Sequence, residues 1–210
     1  MRTTEETNDF GKIRRVYSFA KMYMEANTDH AYHNWNHAKD VAHASLRLSG
    51  MEGVAPQDRL KLLLASLMHD IYVVPGGKEN EEISAKLCEM TLPNYGINVA
   101  DTMQIADLVR VTDLRKQPQT LLEKIMRDAD VDSLGRKDSL EKGKLVMQEL
   151  GINGPLEGYQ AQLKFQQGHH WYTRSAQATR QHGKQKNIRR LEQEIRCLEG
   201  CDYQVRDTGE

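Results

Sequence analysis

The run Leu60-Lys-Leu-Leu-Leu-Ala-Ser-Leu-Met68 is the most apolar stretch of the chain, and it ends on a histidine and an aspartate side by side, His69-Asp70. Nearly continuous apolar character predicts a helix buried on most sides, which sets the polar doublet next to a core. An unpaired carboxylate is costly to bury there. Successive helical side chains point about 100° apart, so His69 and Asp70 do not share a face. They can still reach one ion beside the helix, each from its own side. A divalent cation satisfies both, and the chain offers further ligands in His37 before the doublet and Asp130 of Asp128-Ala129-Asp130 after it.

Around this anchor the pattern is helical. Phe10, Ile13, Tyr17, Ala20 and Met24 recur at the steps of one helical face, with Asn8 or Asp9 as the cap. The segment from Asp29 to His37 is too rich in aromatic and amide groups for an ordinary surface loop. It leads into a helix that starts at His37 and ends at Gly50. Pro56 and Asp58 open the apolar helix. Pro75-Gly76-Gly77 demands a loop over 72–79, after which Asn80 caps a helix through Ile83, Ala85 and Leu87. A helix over 99–112 follows, then one started by Pro118 that delivers Asp128 and Asp130. Residues 138–150, 155–172 and 175–198 are helical too, with His182-Gly183-Lys184 as a break in the last. Sustained strand alternation and repeats are absent. The expectation is all-α: a single helical-bundle domain over 1–210, its core at about 10–200 and its tail from 201 frayed.

Composition narrows the function classes. A chain of 210 residues is long enough to bury a real core. With 29 basic against 30 acidic residues, the net charge of −1 gives no bulk field to steer a polyanion, so nucleic acid is not the expected partner. A local basic pocket for a small phosphate remains open. Cys88, Cys197 and Cys201 are odd in number and form no CxxC pair, which points to a reducing compartment. The amino terminus lacks an apolar signal-like region, and no stretch approaches membrane-spanning length. These features predict a soluble, cytoplasmic protein with no membrane partner.

Two histidines and two carboxylates form a mixed nitrogen and oxygen set, suited to Mn, Fe, Co, Ni, Zn or Mg rather than to a Cys-type structural zinc site. Four such ligands on an octahedral ion leave two positions, one for an attacking water and one for a phosphoryl oxygen. Taken singly, each of these residues is more often an ordinary core or surface group.

Four segments in order carry more weight than the doublet: Tyr32-His33-Asn34-Trp35-Asn36-His37, Leu67-Met68-His69-Asp70-Ile71-Tyr72, Glu79-Asn80-Glu81-Glu82-Ile83-Ser84-Ala85, and Arg127-Asp128-Ala129-Asp130-Val131-Asp132-Ser133-Leu134-Gly135. Together they resemble the successive signatures of the predicted metal-dependent HD-superfamily phosphohydrolases, over about residues 10–200. The resemblance implies an HD-type helical bundle, a bound divalent ion, and hydrolysis of a phosphate ester or anhydride. Relatives of similar size in the wider superfamily act on nucleoside mono- and triphosphates, so a nucleotide is the implied substrate.

Carried over residue by residue, the resemblance makes His37, His69, Asp70 and Asp130 the metal ligands, with Asp128 the runner-up for the last. His33 then lies beside the ion or on the substrate. Glu81 is a general base or an acceptor that orients water, against the alternative of a carboxylate held by the helix dipole. Its neighbour Glu82 is read as a solvated helix residue. Lys78, Arg110 and Arg115 are candidates for binding substrate phosphate, as are Lys116 and Arg136. After Thr112, where the family often has a histidine a few residues on, this chain reads Asp113-Leu114-Arg115-Lys116, which alters the charge of a pocket wall. The cluster Gly168-His169-His170-Trp171-Tyr172 lacks carboxylates at ligand spacing and is assigned to packing. The competing functional readings are an HD-fold nucleotide sensor without turnover and an interaction protein without metal. A homo-oligomer is compatible with either.

Overall fold

In a computed structural model of the chain, which describes residues 4–26 and 30–206 and the side chains of 10–26 and 30–200, every regular element is a helix. The order is α1 (Thr4–Ala26), α2 (Trp35–Met51), α3 (Pro56–Met68), α4 (Asn80–Thr91), α5 (Val99–Arg110), α6 (Leu121–Asp130), α7 (Ser139–Glu149), α8 (Pro155–Gly168) and α9 (Arg174–Arg206). Single 3₁₀ turns occupy Leu92–Tyr95 and Asp132–Gly135. Among the described residues no helix is long and apolar enough to cross a membrane.

Two compact units are distinguishable, 1–131 and 132–210. In the first, α3 is the central element and packs against α1, α2, α5 and α6. Leu62, Leu64, Ala65, Leu67 and Met68 are all buried, together with Val41 and Ala42 of α2, Ile105 and Val109 of α5, and Ile125 and Met126 of α6. Truncating one such fully buried Leu or Met to Ala costs about 2–5 kcal/mol. Two buried hydroxyls tie α3 to α2: Ser66 donates to the Leu62 carbonyl at 2.7 Å and lies 2.9 Å from Ser45 Oγ.

Several helix ends differ from the sequence expectation, each for a local reason. The backbone of α1 is helical from Thr4, so Asn8 and Asp9 lie inside the helix. Helix α2 starts at Trp35 rather than His37, because Asn34 is its cap and accepts from the Asn36 N–H at 2.9 Å. Asn80 is not a cap: it is the first residue of α4, and its amide closes the preceding loop by pairing with the Val74 N–H and carbonyl at 3.0 and 2.9 Å. Gly77 makes that loop tight, since a Cβ there would press on the Val74 carbonyl and the Asn80 side chain. Helix α6 begins at Leu121, beyond Pro118, because Thr120 and Glu123 form a reciprocal capping box.

In the second unit α9 is unbroken through His182-Gly183-Lys184. Gly183 serves close approach instead: a Cβ would run into the Gly135 carbonyl, and one at Gly135 would run into Arg180. Asp132 and Arg180 hold the same contact with a two-pronged ion pair at 2.8 and 2.9 Å. Of the tail expected to fray, the backbone is helical through Arg206 and residues 207–210 lie outside the described residues.

Candidate metal centre

Four side chains from three helix ends converge within the first unit. His37 stands in the first turn of α2, His69 and Asp70 directly follow α3, and Asp130 is the last residue of α6. One ligand atom from each lies within 4.8 Å of the others. His69 Nε2 is 2.9 Å from Asp70 Oδ2, 3.2 Å from His37 Nε2 and 3.3 Å from Asp130 Oδ1. His37 Nε2 is 3.1 Å from Asp130 Oδ1 and 3.3 Å from Asp70 Oδ2. Donors about 2.1 Å from one ion stand about 3 Å apart when they occupy adjacent octahedral corners. The measured separations match that spacing.

Hydrogen bonding favours the same reading. His69 Nδ1 faces the Ser66 carbonyl at 2.8 Å, which places the proton of the neutral ring on Nδ1 and leaves the Nε2 lone pair turned to the cluster. Asp70 Oδ2 is buried with no hydrogen bond despite its nearby imidazoles. An orphaned carboxylate oxygen beside two imidazole nitrogens is an arrangement that a divalent ion satisfies. Burial opposes a charge on His69, yet Asp70 and Asp130 outweigh it and push its pKa well above the ordinary histidine value. Burial likewise opposes ionisation of Asp70 and Asp130, and the facing histidines reverse this, holding both carboxyls below the usual range. Asp128 is fully buried and does not belong to the converging set.

The remaining candidates fall into two groups. His33 lies near the centre, its ring edge-on to His37 at 5.7 Å, and it lines a cavity of about 140 Å³ together with Asp70, Tyr23, His30 and Tyr72. Glu81, half-buried in the first turn of α4, feels the same charges. Burial raises its carboxyl pKa, the Asp113, Asp70 and Asp130 carboxylates raise it further, and a backbone hydrogen bond holds it down.

The basic candidates are largely committed elsewhere. Arg110 is engaged by Glu82 at 2.9 and 3.2 Å, Glu89 at 2.6 Å and Asp107 at 3.1 Å. Glu82 is therefore an ion-pair partner rather than a merely solvated residue. Arg115 is clasped by Asp113 and donates to the Lys78 carbonyl at 2.5 Å. The Lys78 side chain itself is exposed. Sequence reasoning missed Arg127, a buried guanidinium that donates to the carbonyls of Asp113 and Lys116 and so ties the 113–116 loop to α6. Its place three residues before Asp130 was the available signal.

Comparison with known proteins agrees with this geometry. The HD domain family matches residues 34–134, a span that holds all four converging residues. Among solved structures, the chain resembles a predicted HD superfamily hydrolase from an uncultured Thermotogales bacterium, at 17% identity and a TM-score of 0.57 over 89% of this chain and 91% of that one. It also resembles Bacillus subtilis YpgQ, solved in complex with ADP, at 16% identity and a TM-score of 0.63 over 90% of this chain and 97% of that one. No curated protein gives a significant match. Residues 34–134 of this chain therefore carry the HD domain, by the match of its family model over that span.

Proposed function

We propose that the protein is a metal-dependent phosphohydrolase of small phosphorylated compounds, with a nucleotide as its substrate. The observation that carries this reading is the convergence of His37, His69, Asp70 and Asp130 beside a cavity that shares Asp70 as a wall. A divalent ion in that set supplies Lewis acidity toward a phosphoryl oxygen and makes water a competent nucleophile at neutral pH. The ADP seen on YpgQ favours a nucleotide.

The chain's own groups then divide the work. Glu81 is close enough to feel both Asp70 and Asp130, so it orients the attacking water and accepts its proton. His33, on the cavity wall, donates a hydrogen bond to the bound substrate. Lys78 and Arg115 are assigned to the substrate phosphate, with Asp113 holding two donors of the Arg115 guanidinium. Arg110, already balanced by three carboxylates, sets the position of α4 through Glu82 and Glu89.

The test is phosphate release by purified protein loaded separately with Mn, Fe, Co, Ni, Zn or Mg, against nucleoside mono-, di- and triphosphates. Turnover that disappears on chelation supports the reading. Tight nucleotide binding without release assigns the protein as a sensor instead.

A further inference from the structure

The cavity against Asp70 is walled largely by rings beyond that carboxylate. Tyr23 from α1, Tyr72 from the segment after α3, and the imidazoles of His30 and His33 share its wall with that carboxylate. Among the described residues no lysine or arginine lines it. A phosphate seated deep in it, away from the metal ligands, would find no side-chain cation of the protein to pair with. Aromatic and imidazole side chains suit a flat, uncharged ring, which they contact with little loss of side-chain freedom. Pockets that enclose a whole drug-sized ligand span roughly 300–1,000 Å³, so about 140 Å³ takes one moiety rather than a complete nucleotide.

The walls are braced from behind. The Tyr23 ring lies 6.0 Å from Phe19, which in turn lies 5.7 Å from Tyr95, and the His33 ring stands edge-on to Tyr32 at 5.0 Å. Such backing keeps the subsite shaped before a ligand arrives, which lowers the ordering penalty on binding.

We propose that this cavity is the subsite for the planar heterocycle of the substrate, a nucleobase, and that Tyr23 and Tyr72 are its specificity-determining walls. The identity of the ligand rests on the phosphohydrolase reading, whereas the subsite itself is tested by binding. The full chain, loaded with Mn, is titrated with adenosine monophosphate and with ribose 5-phosphate, which carries one phosphate and no ring. Affinity is read by calorimetry, or as KM where phosphate is released. The expected result is roughly tenfold tighter binding of the ring-bearing ligand, from base stacking. Tyr23→Ala and Tyr72→Ala then reduce adenosine monophosphate to the level of ribose 5-phosphate, leave ribose 5-phosphate unchanged, and retain the metal by elemental analysis. Tyr72→Phe, which keeps the ring face, preserves the preference even if an alanine variant fails to fold. Equal affinity for the two ligands in the unmodified protein, binding of neither, or equal weakening of both in a metal-retaining variant overturns the subsite. A ring preference without phosphate release refutes the phosphohydrolase reading and leaves the subsite standing.

Discussion

Two clusters, one of buried histidines with aspartates and one of a partly buried histidine with a buried lysine, answer the same physical problem in opposite ways. In the first unit, His69 Nε2 faces two carboxylates and a second imidazole. In the second unit, His169 Nδ1 and its carbonyl face the Lys184 ammonium at 3.2 and 2.6 Å, and that lysine is only 4% exposed. Trp171 completes the cluster, its ring edge-on to His169 at 4.5 Å and 6.0 Å from the ammonium. The lysine there occupies the place that a metal ion would take among His37, His69, Asp70 and Asp130. Histidine alone therefore does not mark a metal site. What marks it is a set of lone pairs aimed at one point with carboxylates among them and no side-chain cation to fill it.

The largest effect that sharpens this contrast is expected at the acidic end of α6. Asp130→Ala should abolish phosphate release and empty the site by elemental analysis, because it removes one of the converging donors. Asp128→Ala should retain the ion and lose about 10–100-fold in activity, through disorder of the groups around the site. The reverse pattern would show that the wrong aspartate has been placed at the ion.

The second unit should respond in stability and not in metal content. Lys184→Met leaves the His169 carbonyl and Nδ1 without their buried donor, a loss of roughly 1–3 kcal/mol. Chemical denaturation checks the stability, and unchanged metal occupancy checks that the two clusters are independent. A fall in metal content on this substitution would break the comparison.

A smaller effect follows from pH. Burial lowers the Lys184 pKa, so between its folded value and the unfolded value of about 10.4 the unfolded chain binds more protons. Stability from this group therefore rises with pH through that window. The melting temperature of the unmodified protein relative to Lys184→Met should accordingly climb as pH rises toward the unfolded value of about 10.4, and a flat difference would remove the buried ammonium from the account.

Thiol chemistry gives the mildest separation of the two units. Burial pushes the Cys88 thiol up to about 12, so it should stay unlabelled by a thiol-directed alkylating reagent at pH 8 in the folded protein. Exposed Cys197 should label readily. Peptide mapping after brief alkylation distinguishes them.

Local periodicity decided the helices, as in Phe10 to Met24 and Leu60 to Met68, because helical repeat and apolar spacing are properties of neighbouring residues. The ends were less legible. Asn80 looks like a cap, yet the fold spends its amide on the Val74 loop, and Gly183 looks like a break, yet it admits the Gly135 carbonyl beside a continuous helix. In both cases the deciding partner is remote from the local pattern.

The same division runs through the site. The sequence by itself determined an all-helical chain, and its four segments resembling HD-superfamily signatures named His37, His69, Asp70 and Asp130 as a set, with Asp128 the runner-up for the last. Only the tertiary structure decided that Ser66 fixes the His69 tautomer, that Glu82 and Glu89 neutralise Arg110, and that α1 and the 30–33 segment bring Tyr23, His30 and His33 to a cavity on Asp70. Those pairings depend on which elements cross and at what depth, and long-range packing sets that while a one-dimensional spacing does not.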